Sequence, residues 1–230
     1  MLTLNKVISD IRNIASGGSN PIEFRIEEKQ IEFWCNEIRA MLISQAISKK
    51  QDISDTWVQI ISCLDLEQVD SSECCEVTTD CYILRTVQEI PTTIETWMDN
   101  TILKVTLPTG EIITKSNPYK AQYSSYSKYT ANKPTWFIKN NRIYITVEQL
   151  WEKINVWGIF ENPSELSTFV SCGGDSCFTY ESEYPCSLKM ANDITNIVLK
   201  TKVYPYLQLP ADNTNDSLNQ GDAPLNTKGL

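Results

Sequence analysis

Histidine is absent from the 230-residue sequence. Histidine is the usual general base near neutral pH and the commonest protein ligand for transition metals. Its absence excludes Ser-His and Cys-His catalysis within one chain. It also means that a structural zinc site would need four cysteine thiolates.

Basic residues are the minority, with 20 Lys and Arg against 29 Asp and Glu and a formal net charge of -9. A nucleic-acid binder neutralises phosphates with Lys and Arg, so this balance disfavours that class. An acidic surface instead repels DNA and favours solubility.

Long apolar runs are also missing, and no segment reaches the 18 or so residues of a membrane span. The opening, MLTLNKVISDIRNIAS, alternates polar and apolar residues at helical spacing, so we expect no signal peptide. We therefore expect no membrane partner and a chain made in a reducing cytoplasm. There its eight cysteines would be thiols.

Five of the cysteines form two clusters, CCEVTTDC at 74–81 and CGGDSC at 172–177. Zinc could be bound by Cys75, Cys81, Cys172 and Cys177 if the two loops meet, although both spacings are looser than usual. No basic residue is placed by the local sequence to activate Cys63, Cys74 or Cys177 as a nucleophile. Free thiols acting as small apolar side chains are the favoured interpretation. Disulfides and a zinc-stabilised binding module remain alternatives, and we expect no cofactor.

Helical periodicity appears in three places. The first helix follows Thr3, a candidate N-cap, and stops at Ser16-Gly17-Gly18. The second is predicted from about Ile26 to Lys49. Its apolar face carries Ile31, Trp34, Cys35, Ile38, Met41 and Leu42, while Glu28, Lys29, Glu37 and Arg39 lie elsewhere. The third is predicted within SLKMANDITNIVLKTK, just after Pro185.

Between the second and third helices the sequence is rich in β-branched and aromatic residues, which is typical of strands. Turns at 107–110 and 139–142 predict two hairpins. The tyrosine-rich stretch 116–130 predicts a long loop suited to partner contacts. The fold class is therefore α+β. A helical unit (1–52 and 187–203) is interrupted by a β-rich insertion (53–186) and followed by an extended C-terminal arm (204–230).

The C-terminal arm has too few apolar residues to fold alone. A frayed terminus is the simple interpretation. The functional interpretation is an arm that orders on a partner. Its candidate anchors are Tyr204, Tyr206, Leu207, Leu209 and Pro210.

Enzymatic function has weak support in the residues themselves. Two carboxylates can perform glycoside hydrolysis without histidine, so a cell-wall glycan hydrolase remains the alternative function. Gly173-Gly174 lacks the strand, Lys-Ser/Thr and helix of a phosphate-binding loop. The residues alone indicate a protein of interaction rather than catalysis.

Three segments together carry a resemblance to a known family. They are LTLNKVISDIRNIASGGSNPIEFRIEEKQIEFWCNEIRAMLISQAI, QDISDTWVQIISCLDLEQVDSSECC and SLKMANDITNIVLKTKVYPYLQLPADNTND. Together they resemble the head-to-tail connector, or ring, proteins of crAss-like podoviral bacteriophages. The likeness covers most of the chain.

The resemblance implies a non-enzymatic virion protein, assembled in the host cytoplasm into a ring of twelve copies below the portal. That ring would join the capsid to the tail and line the channel through which DNA passes without specific binding. Helices around Ile31 to Ala46 and Leu188 to Lys202 would form the ring. The arm from Tyr204 to Leu230 would dock on the portal, and residues 53–186 would face the next ring or tail proteins.

Overall fold

The computed structural model describes residues 2–18, 26–70, 82–96, 100–121, 133–146 and 149–207. The helices are α1 (Leu4–Ala15), α2 (Glu28–Ser48), α3 (Pro118–Ala121), α4 (Leu188–Val198) and α5 (Tyr204–Leu207), with a π-helical turn, Leu199–Val203, joining α4 to α5. The strands are β1 (Gln59–Asp70), β2 (Tyr82–Thr86), β3 (Ile102–Thr106), β4 (Ile112–Lys115), β5 (Thr135–Lys139), β6 (Arg142–Thr146) and β7 (Lys153–Gly158).

Helix α1 starts and stops where the sequence predicts. The Thr3 side chain accepts a hydrogen bond from the Lys6 backbone N–H at 3.2 Å. Gly17 and Gly18 follow the helix with φ of 61° and 79°, a region that L side chains rarely adopt. The buried face of the helix consists of Leu4, Val7, Ile8 and Ile11.

The three predicted helices pack against one another. Helix α2 contacts both α1 and α4, and α1 also contacts α4. Ser187 caps α4 by accepting from the Met190 backbone N–H at 3.2 Å. The N-terminus is tied to the residues before α4, because the Tyr184 backbone N–H donates to the Leu2 carbonyl at 2.8 Å. The three helices thus contact one another in the described residues.

The described strands close into a barrel in the order β1-β2-β6-β5-β4-β3-β7, with β7 returning to β1. Neighbouring strands are antiparallel except for the parallel pair of β4 and β5. Strand β1 takes part in two ladders: its first half pairs with β7 and its second half with β2. A bulge lies between Ile61 and Leu64, and Cys63 within it has φ of 56°.

Both predicted hairpins are confirmed. Asn140 and Asn141 connect β5 to β6, and their φ angles of 51° and 55° lie in the left-handed region. A turn with this backbone conformation has a twist that matches the twist of the two strands. Gly110 has φ of 95° in the turn between β3 and β4. Of the tyrosine-rich stretch, Pro118–Ala121 forms the short helix α3, and residues 122–130 lie outside the described residues.

Helices and barrel share one hydrophobic core. The same buried cluster contains Leu4 and Ile31 from the helices and Ile143 and Val156 from the barrel. Phe160, just after β7, belongs to it as well. The α+β class is therefore confirmed, with the barrel packed onto the helices.

One cysteine prediction is wrong. Cys63 and Cys172, 109 residues apart, form a disulfide with a Cα–Cα distance of 5.2 Å, although thiols were expected. The bulge in β1 faces the loop at 170–177 in the folded chain and brings Cys63 close to Cys172. The spacing of the cysteines in the sequence does not reveal this contact between distant segments. Cys74, Cys75 and Cys81 lie outside the described residues. Within the described ranges, no cluster of Cys, Asp or Glu has a metal-binding arrangement.

In the same ranges, no helix has both the length and the apolar character needed to cross a membrane.

Candidate subunit interface

A row of polar side chains on α2 fixes the helix to the rest of the molecule. Glu32, Asn36 and Arg39 follow one another at intervals of four and three residues, so they share one side of the helix. That side faces the segment between β7 and α4. The sequence placed Arg39 outside the apolar face of α2, yet Arg39 is fully buried.

Arg39 uses its whole guanidinium as a hydrogen-bond donor. Its Nε donates to the Pro185 carbonyl at 2.8 Å, and Nη1 donates to the Phe160 carbonyl at 2.8 Å. A longer bond of 3.4 Å runs from Nη2 to the Trp57 carbonyl. Burial lowers the pKa of Arg39 from its ordinary value. The three carbonyls belong to segments far apart in sequence, so one side chain joins α2 to the residues that precede β1, follow β7 and precede α4.

Asn36 continues this network one turn earlier. Its Oδ1 accepts from the buried Tyr184 hydroxyl at 2.8 Å, and its Nδ2 donates to Asn162 Oδ1 at 2.9 Å. Ser164 Oγ then donates to Glu32 Oε1 at 2.6 Å. Burial raises the pKa of Tyr184 well above its ordinary value, so the hydroxyl stays a donor. The network holds the exposed side of α2 in a fixed position relative to the barrel.

Replacing Tyr184 by phenylalanine tests this network. The change leaves the buried Asn36 Oδ1 without its donor, so we expect a loss of about 1–2 kcal/mol in the free energy of unfolding. Tyr180→Phe is the matched control, because its hydroxyl is 3.4 Å from Glu32 on an exposed side chain. Urea denaturation followed by tryptophan fluorescence measures both. Equal losses in the two variants would contradict the assigned role of Tyr184.

Helix α5 and the π-helical turn before it contact another side of α2. Lys202 Nζ lies 3.0 Å from Glu37 Oε2, and the Tyr206 ring packs edge-on to Trp34 with 6.5 Å between centroids. These contacts keep residues 204–207 helical, whereas the sequence predicted an extended arm from Tyr204 onward. Leu209 and Pro210, two of the five predicted anchors, lie outside the described residues.

The remaining three anchors belong to an exposed apolar surface on the helices. Tyr204, Tyr206 and Leu207 all remain exposed, with Tyr206 at 48%. On α2, Phe33 is 62% exposed, and Met41, which the sequence assigned to the core, is exposed too. We call these five residues, Phe33, Met41, Tyr204, Tyr206 and Leu207, the helix patch. The ion pair of Glu37 and Lys202 lies among them.

A second exposed apolar surface lies on the outside of the barrel. Trp157 of β7 is paired with Ile60 of β1 on one side and with Lys104 of β3 on the other. Lys104 Nζ sits 3.9 Å from the centre of the Trp157 ring, a cation–π contact. Leu103, at a bulge in β3, and Ile112 of β4, 64% exposed, are also apolar and exposed. We call Ile60, Leu103, Lys104, Ile112 and Trp157 the barrel patch.

The barrel patch was not identified from the sequence. Strand alternation was a usable signal, since Ile61, Val105 and Ile113 are buried and their neighbours Ile60, Lys104 and Ile112 point the other way. The strand order was needed to bring these neighbours together. Local sequence does not contain that order.

Two of the free cysteines, Cys35 and Cys186, are buried and unreactive. Burial raises the pKa of Cys35 to about 12 and that of Cys186 to about 11. Both therefore remain protonated at neutral pH. They act as the small apolar side chains that the sequence predicts for them.

Comparison with known proteins adds the family. The profile of the Phage tail ring protein 2 family matches residues 6–221, nearly the whole chain. No curated protein matches the chain. Members of such a family are structural components of the phage particle and assemble as oligomers. The chain therefore belongs to the Phage tail ring protein 2 family of crAss-like phages.

Proposed function

We propose that this protein forms a closed ring of twelve copies directly below the portal, where it joins the capsid to the tail. The observation that carries the proposal is the family match over residues 6–221. In this position the ring surrounds the channel through which the genome leaves the capsid. The hydrolase alternative gains nothing from that match, and we do not propose it.

The surface of the subunit is consistent with ring formation. A ring with rotational symmetry uses two different patches on each copy, one complementary to the other. The helix patch and the barrel patch lie on different elements, and the buried network around Arg39 holds those elements together. Each copy therefore presents two apolar surfaces in a fixed relation.

The charge of the chain suits a DNA channel. A net charge of -9 repels the phosphate backbone, so DNA slides past without being retained. The protein contacts DNA without specific binding and needs no cofactor for this role.

The C-terminal arm is the part that we assign to the portal. Helix α5 ends at Leu207, and its Tyr206 packs against Trp34 of α2. Lys202, in the π-helical turn just before it, pairs with Glu37. These contacts support Tyr204, Tyr206 and Leu207 as the base of the arm. Residues 208–230, including Leu209 and Pro210, follow this base in the sequence and are the segment that we assign to portal docking. The barrel then faces the next ring or tail proteins.

Removing residues 208–230 tests the portal assignment without cutting into α5. We expect the truncated chain to keep its thermal unfolding temperature and its self-association, and to bind the purified portal at least tenfold more weakly. Analytical ultracentrifugation of the mixture measures the binding. Tyr119→Ser, at an exposed aromatic residue outside the arm, is the control and should bind normally. Undiminished portal binding by the truncated chain would show that the arm is not the docking element.

A further inference from the structure

One patch lies on helices and the other lies on the outside of the barrel, so one can pack against the other in a neighbouring copy. We propose that the helix patch of one copy docks on the barrel patch of the next copy around the ring. The proposal rests on the proposed function and specifies its subunit contact. The occupant of each patch is therefore a second copy of this chain.

The two surfaces are similar in length. Phe33 and Met41 are eight residues apart on α2, so they stand about 12 Å apart along a convex helix. Ile60, Trp157 and Lys104 cross three neighbouring strands, which span about 10 Å. A single helix lying across these strands covers the row of side chains. Phe33 and Met41 then contact the exposed parts of Trp157 and the flanking aliphatic groups.

The charges within the patches are complementary. Glu37 lies between Phe33 and Met41 on α2, one turn from each, and its side chain is 44% exposed. Lys104 occupies the centre of the barrel patch, over the Trp157 ring. Helix-to-barrel docking places the carboxylate near this ammonium group. Lys202, bonded to Glu37, and Glu111, beside Ile112, form a second opposite pair at the edges.

Contacts between like patches do not build a ring. A contact between two helix patches, or between two barrel patches, relates the two copies by a two-fold axis. Either contact also closes at a dimer, whereas a head-to-tail contact generates a ring. The family forms rings, and the helix-to-barrel contact is a head-to-tail contact of the kind that a ring requires.

Photocrosslinking from Phe33 tests the contact directly. The full-length chain would carry p-benzoylphenylalanine at position 33, and unlabelled and 15N-labelled copies would be mixed to separate intermolecular from intramolecular products. We expect intermolecular crosslinks to peptides of β1, β3 and β7 near Ile60, Lys104 and Trp157. Intermolecular crosslinks confined to α2 or α5 of the second copy would overturn the proposal.

Matched variants give a second readout. Phe33→Asp should weaken self-association at least tenfold, while Leu188→Asp, at a 67% exposed leucine outside both patches, should change it less than twofold. Glu37→Lys and Lys104→Glu should each weaken association at least threefold, and their combination should restore part of the loss. Equal effects of Phe33→Asp and Leu188→Asp, at unchanged melting temperature, would contradict the assignment.

The outcomes separate the contact from the proposed function. If the unmodified chain forms no oligomer alone or with the portal, both the ring and this contact are wrong. If a ring forms but crosslinks map to other surfaces, only the helix-to-barrel contact is wrong.

Discussion

Arg39→Met is expected to lower the free energy of unfolding by about 3 kcal/mol. Methionine retains an unbranched apolar stem but leaves the carbonyls of Trp57, Phe160 and Pro185 without their buried donor. An unsatisfied buried polar group costs about 1–3 kcal/mol. Three unsatisfied carbonyls would together cost more than about 3 kcal/mol. Removal of the buried guanidinium charge, which is itself unfavourable to desolvate, offsets part of this loss. The circular dichroism of the helices and the tryptophan fluorescence should both show this loss of stability, because Arg39 joins the helices to the barrel.

The matched control is Arg85→Met. Arg85 pairs with Glu67 on the barrel surface, and both side chains are partly exposed to water. Ion pairs of this type contribute about 0–1 kcal/mol. A loss for Arg39→Met no larger than that for Arg85→Met would contradict the role of Arg39 as the link between helices and barrel.

Loss of the Cys63–Cys172 disulfide is expected to have the other large effect. The crosslink closes a loop of 109 residues. In the chain-entropy account, closing about 100 residues in the unfolded state stabilises the fold by up to about 4.7 kcal/mol. We expect the double variant Cys63→Ser, Cys172→Ser to lose about 4 kcal/mol relative to the oxidised chain. The reduced unmodified chain should fall to a similar stability.

Urea denaturation with and without a reducing phosphine measures this difference. Cys177→Ser, in the same loop but outside the disulfide, should keep the full response to the reductant. Peptide mass mapping without reduction should find Cys63 linked to Cys172. Equal stability of the unmodified chain in both conditions, together with complete alkylation of Cys63, would contradict the crosslink.

Much of the secondary structure was predictable because local forces determine it. Thr3 and the glycine pair after Ser16 set both ends of α1 through capping and positive φ. The Asn140-Asn141 turn fixes the β5–β6 hairpin in the same way. These features depend on residues only a few positions apart, so a single sequence contains them.

Closure of the barrel was not predictable from the sequence. The β4–β5 pair is parallel, and β1 pairs with β2 and β7 in its two halves. Such pairings are determined by packing between distant segments. The disulfide is hidden for the same reason, since only the folded barrel brings Cys63 to Cys172.

The C-terminal anchor residues remain a prediction. Tyr204, Tyr206 and Leu207 are exposed, as partner-binding residues need to be, but they extend a helix through a π-helical turn rather than beginning an extended arm. Helical periodicity placed Met41 on the apolar face of α2 and Arg39 outside it. Tertiary contacts reversed both, because three backbone carbonyls meet at the position of Arg39.

A single cryo-electron microscopy map of the phage vertex tests the central claim most directly. We expect a closed ring of twelve copies of this chain immediately below the portal. In that ring α2 of each copy lies across β1, β7 and β3 of its neighbour. A vertex in which the chain is absent from the ring stack, or in which copies meet through two-fold contacts between identical patches, would contradict it.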